Sequence, residues 1–171
     1  MNKEKIAFIP RQYLAVIAVL LAIMMSVLDG TIMNIALPTL AHDFDVTPST
    51  AIWIVNAYQL VITMTLLSFA SLGDIYGYKR IFLIGISIFV GASLACTLST
   101  SFWMLTAARV IQGFGAACVM SVNTALIRLI YPPQILGRGM GVNAMVVAVS
   151  AAAGPSIAGS ILALGSWHWL F

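Results

Sequence analysis

Two charged side chains stand out because of where they fall: Asp29 and Arg109 each interrupt a stretch of apolar residues long enough to cross a lipid bilayer. A charge at the centre of such a helix costs roughly 2.5 to 3.5 kcal/mol on insertion scales, so each needs a partner or a function. Asp29 lies eight residues before Leu37, and Arg109 lies seven residues after Phe102. If those two residues mark the same membrane face, a rise of 1.5 Å per residue sets both charges on the order of 11 Å below it. A carboxylate and a guanidinium at one depth can pair. In an interior cavity such a pair ties proton binding at the carboxylate to whatever separates the two groups, which points to proton coupling at Asp29 and Arg109. The plainer alternative is a structural ion pair that only fixes packing.

Other polar groups fall on the same apolar stretches: Asn34 near Asp29, Asn56 and Gln59 on the second, Gln112 and Asn123 on the fourth, Asn143 on the fifth. Gln112 is three residues past Arg109 and shares its helix face. Together they are expected to line a wet path, although any one of them could simply bond a neighbouring helix for about 0.6 to 2 kcal/mol. Trp53, Tyr58, Phe114, Met24 and Met25 add rings and thioethers, a soft wall for an amphipathic or cationic ligand. Enzyme chemistry has little to build on. His42 and His168 lie outside the apolar stretches, 126 positions apart, with no ligand or nucleophile set around them, so neither a metal nor a cofactor is expected.

The chain that must position these groups has 171 residues, 61% hydrophobic and only 8% charged, where about 25% charged is ordinary for a soluble domain. So few charges cannot coat a soluble fold, whereas lipid accepts an apolar exterior, and the fold class is an all-α membrane protein. Five spans are predicted, near residues 13–37, 51–72, 81–98, 102–127 and 140–164. The first is too long for a signal peptide and carries Asp29 near its end. Pro38 is expected to end it, and Thr47-Pro48-Ser49 to open the second with Ser49 or Thr50 as helix cap. Ser99-Thr100-Ser101 and Tyr131-Pro132-Pro133 break the later runs. The third span holds nothing more polar than Ser87, Ser93, Cys96 and Thr97 and is expected to face lipid. Cys96 and Cys118 lie at different depths and do not suggest a disulfide.

Outside the spans every lysine and arginine falls on one side: Lys3, Lys5 and Arg11 before the first, Lys79 and Arg80 between the second and third, Arg128 and Arg138 around the fourth turn. The opposite loops carry His42, Asp43, Asp45 and His168 but no lysine or arginine. The positive-inside rule then puts the N-terminus in the cytoplasm of a multi-pass inner (plasma) membrane protein. No basic run exceeds Lys79-Arg80, which excludes a nucleic-acid partner. Residues 168–171 read as the start of a sixth span, so the chain is expected to be a fragment.

Small residues mark close helix contacts on the fourth span at Gly113 and Gly115, and on the fifth at Gly154 and Gly159, where Pro155 removes a backbone hydrogen bond and offers a hinge or a flat face. The turn Gly73 to Arg80 is expected to be tight, with Gly73 and Gly77 both free to take positive φ. Its Asp74 sits near Lys79 and Arg80 and could latch onto a helix N-terminus or an arginine elsewhere in the molecule.

These segments resemble the N-terminal part of a major facilitator superfamily transporter, closest to the fourteen-helix drug:proton antiporters. Leu28 to Pro38 is similar to the first-helix motif of that group. Gly73, Asp74, Gly77, Lys79 and Arg80 resemble the loop between helices two and three, and Arg109 to Gly113 with Gly115 the fourth-helix motif to which proton coupling is attributed. Gly154, Pro155 and Gly159 resemble the antiporter motif of helix five. The pattern departs from the family at Ala70, Ile75 and Tyr78, which thin any charge relay in the loop, and at Ser150 and Ala158, which replace small glycines by residues still small. The resemblance implies five helices of a six-helix half built from inverted three-helix repeats, with substrate at the midplane between two halves. The implied partners are a small amphipathic or cationic substrate, protons, the lipid bilayer and a missing C-terminal transporter half. The implied function is proton-coupled multidrug efflux, with these residues not competent alone; the alternative is a non-transporting membrane scaffold or regulatory subunit.

Overall fold

The structure, a computed structural model, describes residues 4–171, with side chains from Gln12 onward; Lys3 and the side chains of Lys5 and Arg11, part of the expected basic flank, lie outside it. Five long helices follow in order: α1 (Glu4–Asp43), α2 (Pro48–Tyr76), α3 (Tyr78–Thr97), α4 (Phe102–Ile130) and α5 (Leu136–Leu164). Two 3-10 turns, Pro133–Ile135 and Trp167–Leu170, complete the described chain. All five helices are long and apolar enough to cross a bilayer, which makes this a multi-pass, all-α membrane protein.

The helix ends differ from expectation where packing outweighs local signals. Pro38 does not stop α1, which runs on to Asp43. Proline removes one hydrogen bond, but Ala36, Leu40 and Ala41 on either side of it are buried, and that burial holds the helix together. The α2 cap is Thr47 rather than Ser49 or Thr50: Pro48 occupies the first helical position, and Thr47 Oγ1 accepts from the Thr50 amide at 3.3 Å. Gly73 and Asp74 belong to α2, and of the two glycines only Gly77 takes a positive φ, 94°. Gly73 is helical because α2 crosses α4 there; a Cβ on it would lie 2.9 Å from Val122. The predicted sixth-span residues 168–171 instead fall in and just after the 3-10 turn Trp167–Leu170.

Buried α4 is the hub of the bundle. It packs along α3 on one side and α2 on the other, while α5 attaches chiefly to α1. Glycines set the close crossings. A Cβ on Gly115 would lie 2.5 Å from the Phe89 backbone nitrogen, and one on Gly85 would lie 2.6 Å from Cys118 Cβ, so α3 and α4 touch backbone to backbone. The third helix is therefore not simply lipid-facing, as its plain sequence suggests; one face is committed to α4. At the α1–α5 contact a Cβ on Gly154 would collide with Thr31. One apolar core lies toward the Ser99 end, around Leu40, Ile54 and Leu105. A second lies toward the Gly77 end, around Phe82, Val119 and Val122.

Candidate ion-pair site between four helices

The geometry joins α1, α2, α3 and α4 around one buried cation. Arg109 on α4 is fully buried and donates through Nη1 to both oxygens of Asp29 on α1, at 2.8 and 2.7 Å. The Asp29 side chain retains 10% exposure. The same Nη1 reaches Gln112 Oε1 at 2.8 Å, and Gln112 Nε2 returns a bond to Asp29 at 3.2 Å. Gln112 is thus a bridge holding both charges. It is 1% exposed and lines no open path. From α3, the Cys96 thiol donates to Gln112 Oε1 at 3.5 Å. From α2, the Tyr58 ring lies under the guanidinium, its centroid 4.1 Å from Arg109 Cζ.

The remaining donors of Arg109, Nε and Nη2, have no hydrogen-bond partner among the described residues. A guanidinium that offers five donors and uses one nitrogen is under-satisfied, and a buried unsatisfied donor costs about 1 to 3 kcal/mol. On another side of the cation the Phe171 ring centroid lies 5.7 Å from Cζ, with the Phe171 carbonyl tied to Ser93 Oγ at 2.7 Å.

The polar residues expected to share one cavity divide into two sets. Tyr58 and Gln112 are buried in the ion-pair cluster. Asn34, Asn56 and Gln59 are exposed, and Asn34 Nδ2 bonds only the Gly30 carbonyl at 3.2 Å. Asn123 is buried nearer the other end, donating to Asn143 Oδ1 on α5 at 2.9 Å. Trp53, Phe114 and Met25 are exposed, so a soft wall exists only outside the cluster.

At the Ser99 end a basin of about 530 Å³ is lined by His42, Asp43, Phe44, Ser99, Thr100, Trp167 and His168. Ser99 Oγ donates to the Cys96 backbone carbonyl at 2.6 Å, while the Cys96 thiol separately meets Gln112. At the opposite end Asp74 accepts from Tyr78 Oη one helical turn away and makes no ion pair among the described residues, while Lys79 and Arg80 are exposed. Asp74, Tyr78 and Arg128 share a groove of about 390 Å³. In the helix-five segment Gly154 is buried on α1, whereas Pro155 and Gly159 are exposed and α5 continues through them.

Two members of the cluster were not identifiable as such from the sequence. Cys96 sits in the most apolar span, and nothing in its neighbours marks it as facing Gln112. Tyr58 reads as wall rather than as the underside of an arginine. The exposed and buried positions of α2 would have separated it from Gln59, had the neighbouring helices been known.

Residues 19–171 match the Major Facilitator Superfamily. An uncharacterised transporter of Escherichia coli (strain K12), YebQ, is 58% identical over 163 residues, covering 95% of this chain and 36% of that protein. The riboflavin transporter RibZ of Clostridioides difficile (strain 630) is 35% identical over 94% of this chain and 35% of its own length. The drug efflux pump JefA of Mycobacterium tuberculosis is 36% identical over 95% of this chain and 32% of its own. The chain spans about a third of the length of these curated relatives. With a match over nearly all of its five membrane helices, the chain belongs to the Major Facilitator Superfamily.

Proposed function

We propose that these helices form one half of a proton-coupled secondary transporter of the drug:proton antiporter type, exporting amphipathic or cationic compounds across the inner membrane, with the N-terminus cytoplasmic. The observation that carries the reading is the Asp29–Arg109–Gln112 cluster. A carboxylate with slight exposure, bonded to a fully buried guanidinium, is a protonatable site whose occupancy alters the balance of charge between two helices. Protonation of Asp29 would remove the negative partner and weaken the α1–α4 tie. Release of the proton would restore it. A cycle in which that tie is made on one side and broken on the other converts a proton gradient into helix movement.

The substrate class draws on the relatives, whose names cover drug efflux and riboflavin transport. Exposed Trp53, Phe114 and Met25 with Asn34, Asn56 and Gln59 offer a mixed aromatic and amide surface suited to amphipathic ligands. Substrate held between this surface and a second, complementary half matches the general design of such transporters, and the relatives' greater length supports a larger working unit.

Membrane vesicles carrying the full gene product, loaded with a fluorescent amphipathic cation, test the proposal. An imposed pH gradient should drive saturable movement of the dye, and Asp29→Asn should abolish it while the protein still reaches the membrane. Unchanged proton-driven flux in that variant overturns the coupling role.

A further inference from the structure

Tyr58 has a relation to Arg109 that a substrate-wall or filler role does not explain. It is 1% exposed. Its ring centroid is 4.1 Å from Arg109 Cζ, inside the range where an aromatic face attracts a cation. The α2 backbone at Tyr58 crosses α4 closely, its carbonyl 3.0 Å from where a Cβ on Gly113 would be, and the ring's Cε1 lies 3.9 Å from the corresponding point on Gly30, next to Asp29. Its hydroxyl donates a long bond, 3.5 Å, to the Ser26 carbonyl and lies near the Asp29 carboxylate, so the ring face meets the cation while the hydroxyl edge neighbours the acid.

We infer that Tyr58 is a positioning residue that holds Arg109 in place when Asp29 is neutralised, so that the α2 ring becomes the main support of a cation that α1 has released. Arg109 cannot leave its burial when the carboxylate takes a proton. Three contacts then remain: Gln112 Oε1 at 2.8 Å, the Tyr58 face, and the more distant Phe171 ring at 5.7 Å. Because Nε and Nη2 have no hydrogen-bond acceptor, the ring beneath the guanidinium carries a large share of its stabilisation. The titratable groups around the pair are few: Asp29 from α1, Tyr58 from α2 and Cys96 from α3, with none from α5 bonded to it. His168 is occupied with Ser166 and stacks on Trp167.

The inference rests on the proposed proton coupling but can be separated from it. Tyr58→Leu removes the ring and Tyr58→Phe keeps the face; each is made in the native protein and with Asp29→Asn, and thermal unfolding of the full gene product is measured in detergent. Tyr58→Leu should lower the melting temperature more in the Asp29→Asn background than in the native one, and Tyr58→Phe, which keeps the face, should match tyrosine in the Asp29→Asn background. Equal losses in the two backgrounds overturn the inference. In vesicles, Tyr58→Leu should move the half-maximal point of proton-driven transport to more acidic pH by about one unit, the size of a desolvated cation–π contact, with Tyr58→Phe restoring it. An unmoved profile also overturns it. If the native protein shows no proton-driven flux, the proposed function fails, and the thermal comparison still decides the role of Tyr58. Should the leucine variant not accumulate, Tyr58→Met keeps the bulk without the face and takes its place.

Discussion

Arg109 holds Asp29 through a single nitrogen: Nη1 lies 2.8 Å from one carboxylate oxygen and 2.7 Å from the other, joining points 80 residues apart in the chain. The second nitrogen on the carboxylate comes from Gln112, whose Nε2 donates to Asp29 at 3.2 Å while its Oε1 accepts from the same Nη1 at 2.8 Å. The amide, rather than a two-nitrogen fork of the guanidinium, fixes the orientation of the acid.

Removing one partner should therefore be far worse than removing both. Asp29→Leu leaves an uncompensated buried guanidinium and should cost about 3 to 5 kcal/mol. Asp29→Leu with Arg109→Leu should return stability to within about 1 kcal/mol of native, since apolar residues often replace buried pairs at little cost. Thermal unfolding in detergent measures the stability, and vesicle flux should show coupled transport lost in both variants. A double variant that still couples would favour a purely structural pair.

Gln112→Leu keeps the volume and deletes the bridge to Asp29, Arg109 and Cys96. With the pair left to itself, the variant should lose about 1 to 3 kcal/mol, most of it from unsatisfied buried groups. A denaturation midpoint equal to the native one would show that Gln112 contributes nothing to the cluster.

Gly154 and Gly159 on α5 should respond in opposite ways. Gly154→Val drives a side chain into Thr31 and should destabilise by about 1 to 3 kcal/mol. Gly159 has nothing within 4 Å of its would-be Cβ. Gly159→Ala should be neutral or stabilising by up to about 1 kcal/mol through helix propensity. Similar melting curves for the two variants would place the α1–α5 contact elsewhere.

Gly77 is the single glycine among the described residues with φ in the left-handed range, at 94°. Gly77→Ala has open space around it but must adopt that backbone, so the expected cost is about 1 to 3 kcal/mol of strain rather than a clash. Because φ 94° with ψ 129° lies outside the left-handed helical well that asparagine tolerates, Gly77→Asn should cost about as much as Gly77→Ala. A native melting temperature in Gly77→Ala would rule out backbone strain.

The pairing of Asp29 with Arg109 was legible because charges are scarce in this chain and depth along a helix is simple arithmetic. Direction around the helix was not. Asn34, Asn56 and Gln59 look no different in sequence from Gln112 and Asn123, yet the first three face outward and the other two are buried, since facing depends on which helices neighbour which. The end of α1 was misread for a related reason: Pro38 is a local signal, while the burial of Leu40 and Ala41 beyond it depends on partners distant in sequence. Cys96 entered the site only because Gly85 and Gly115 bring α3 against α4.

Thirty-one positions into the chain, two residues past the carboxylate, Thr31 abuts Gly154, with Ser150 and Ala158 buried one turn to either side. Advancing α5 by a turn in either direction would set a bulkier side chain against Thr31 than the notch now there, so the two rods engage like a key in a single ward. Sliding of α5 along α1 therefore meets a steric stop at Thr31, within a turn of the acid.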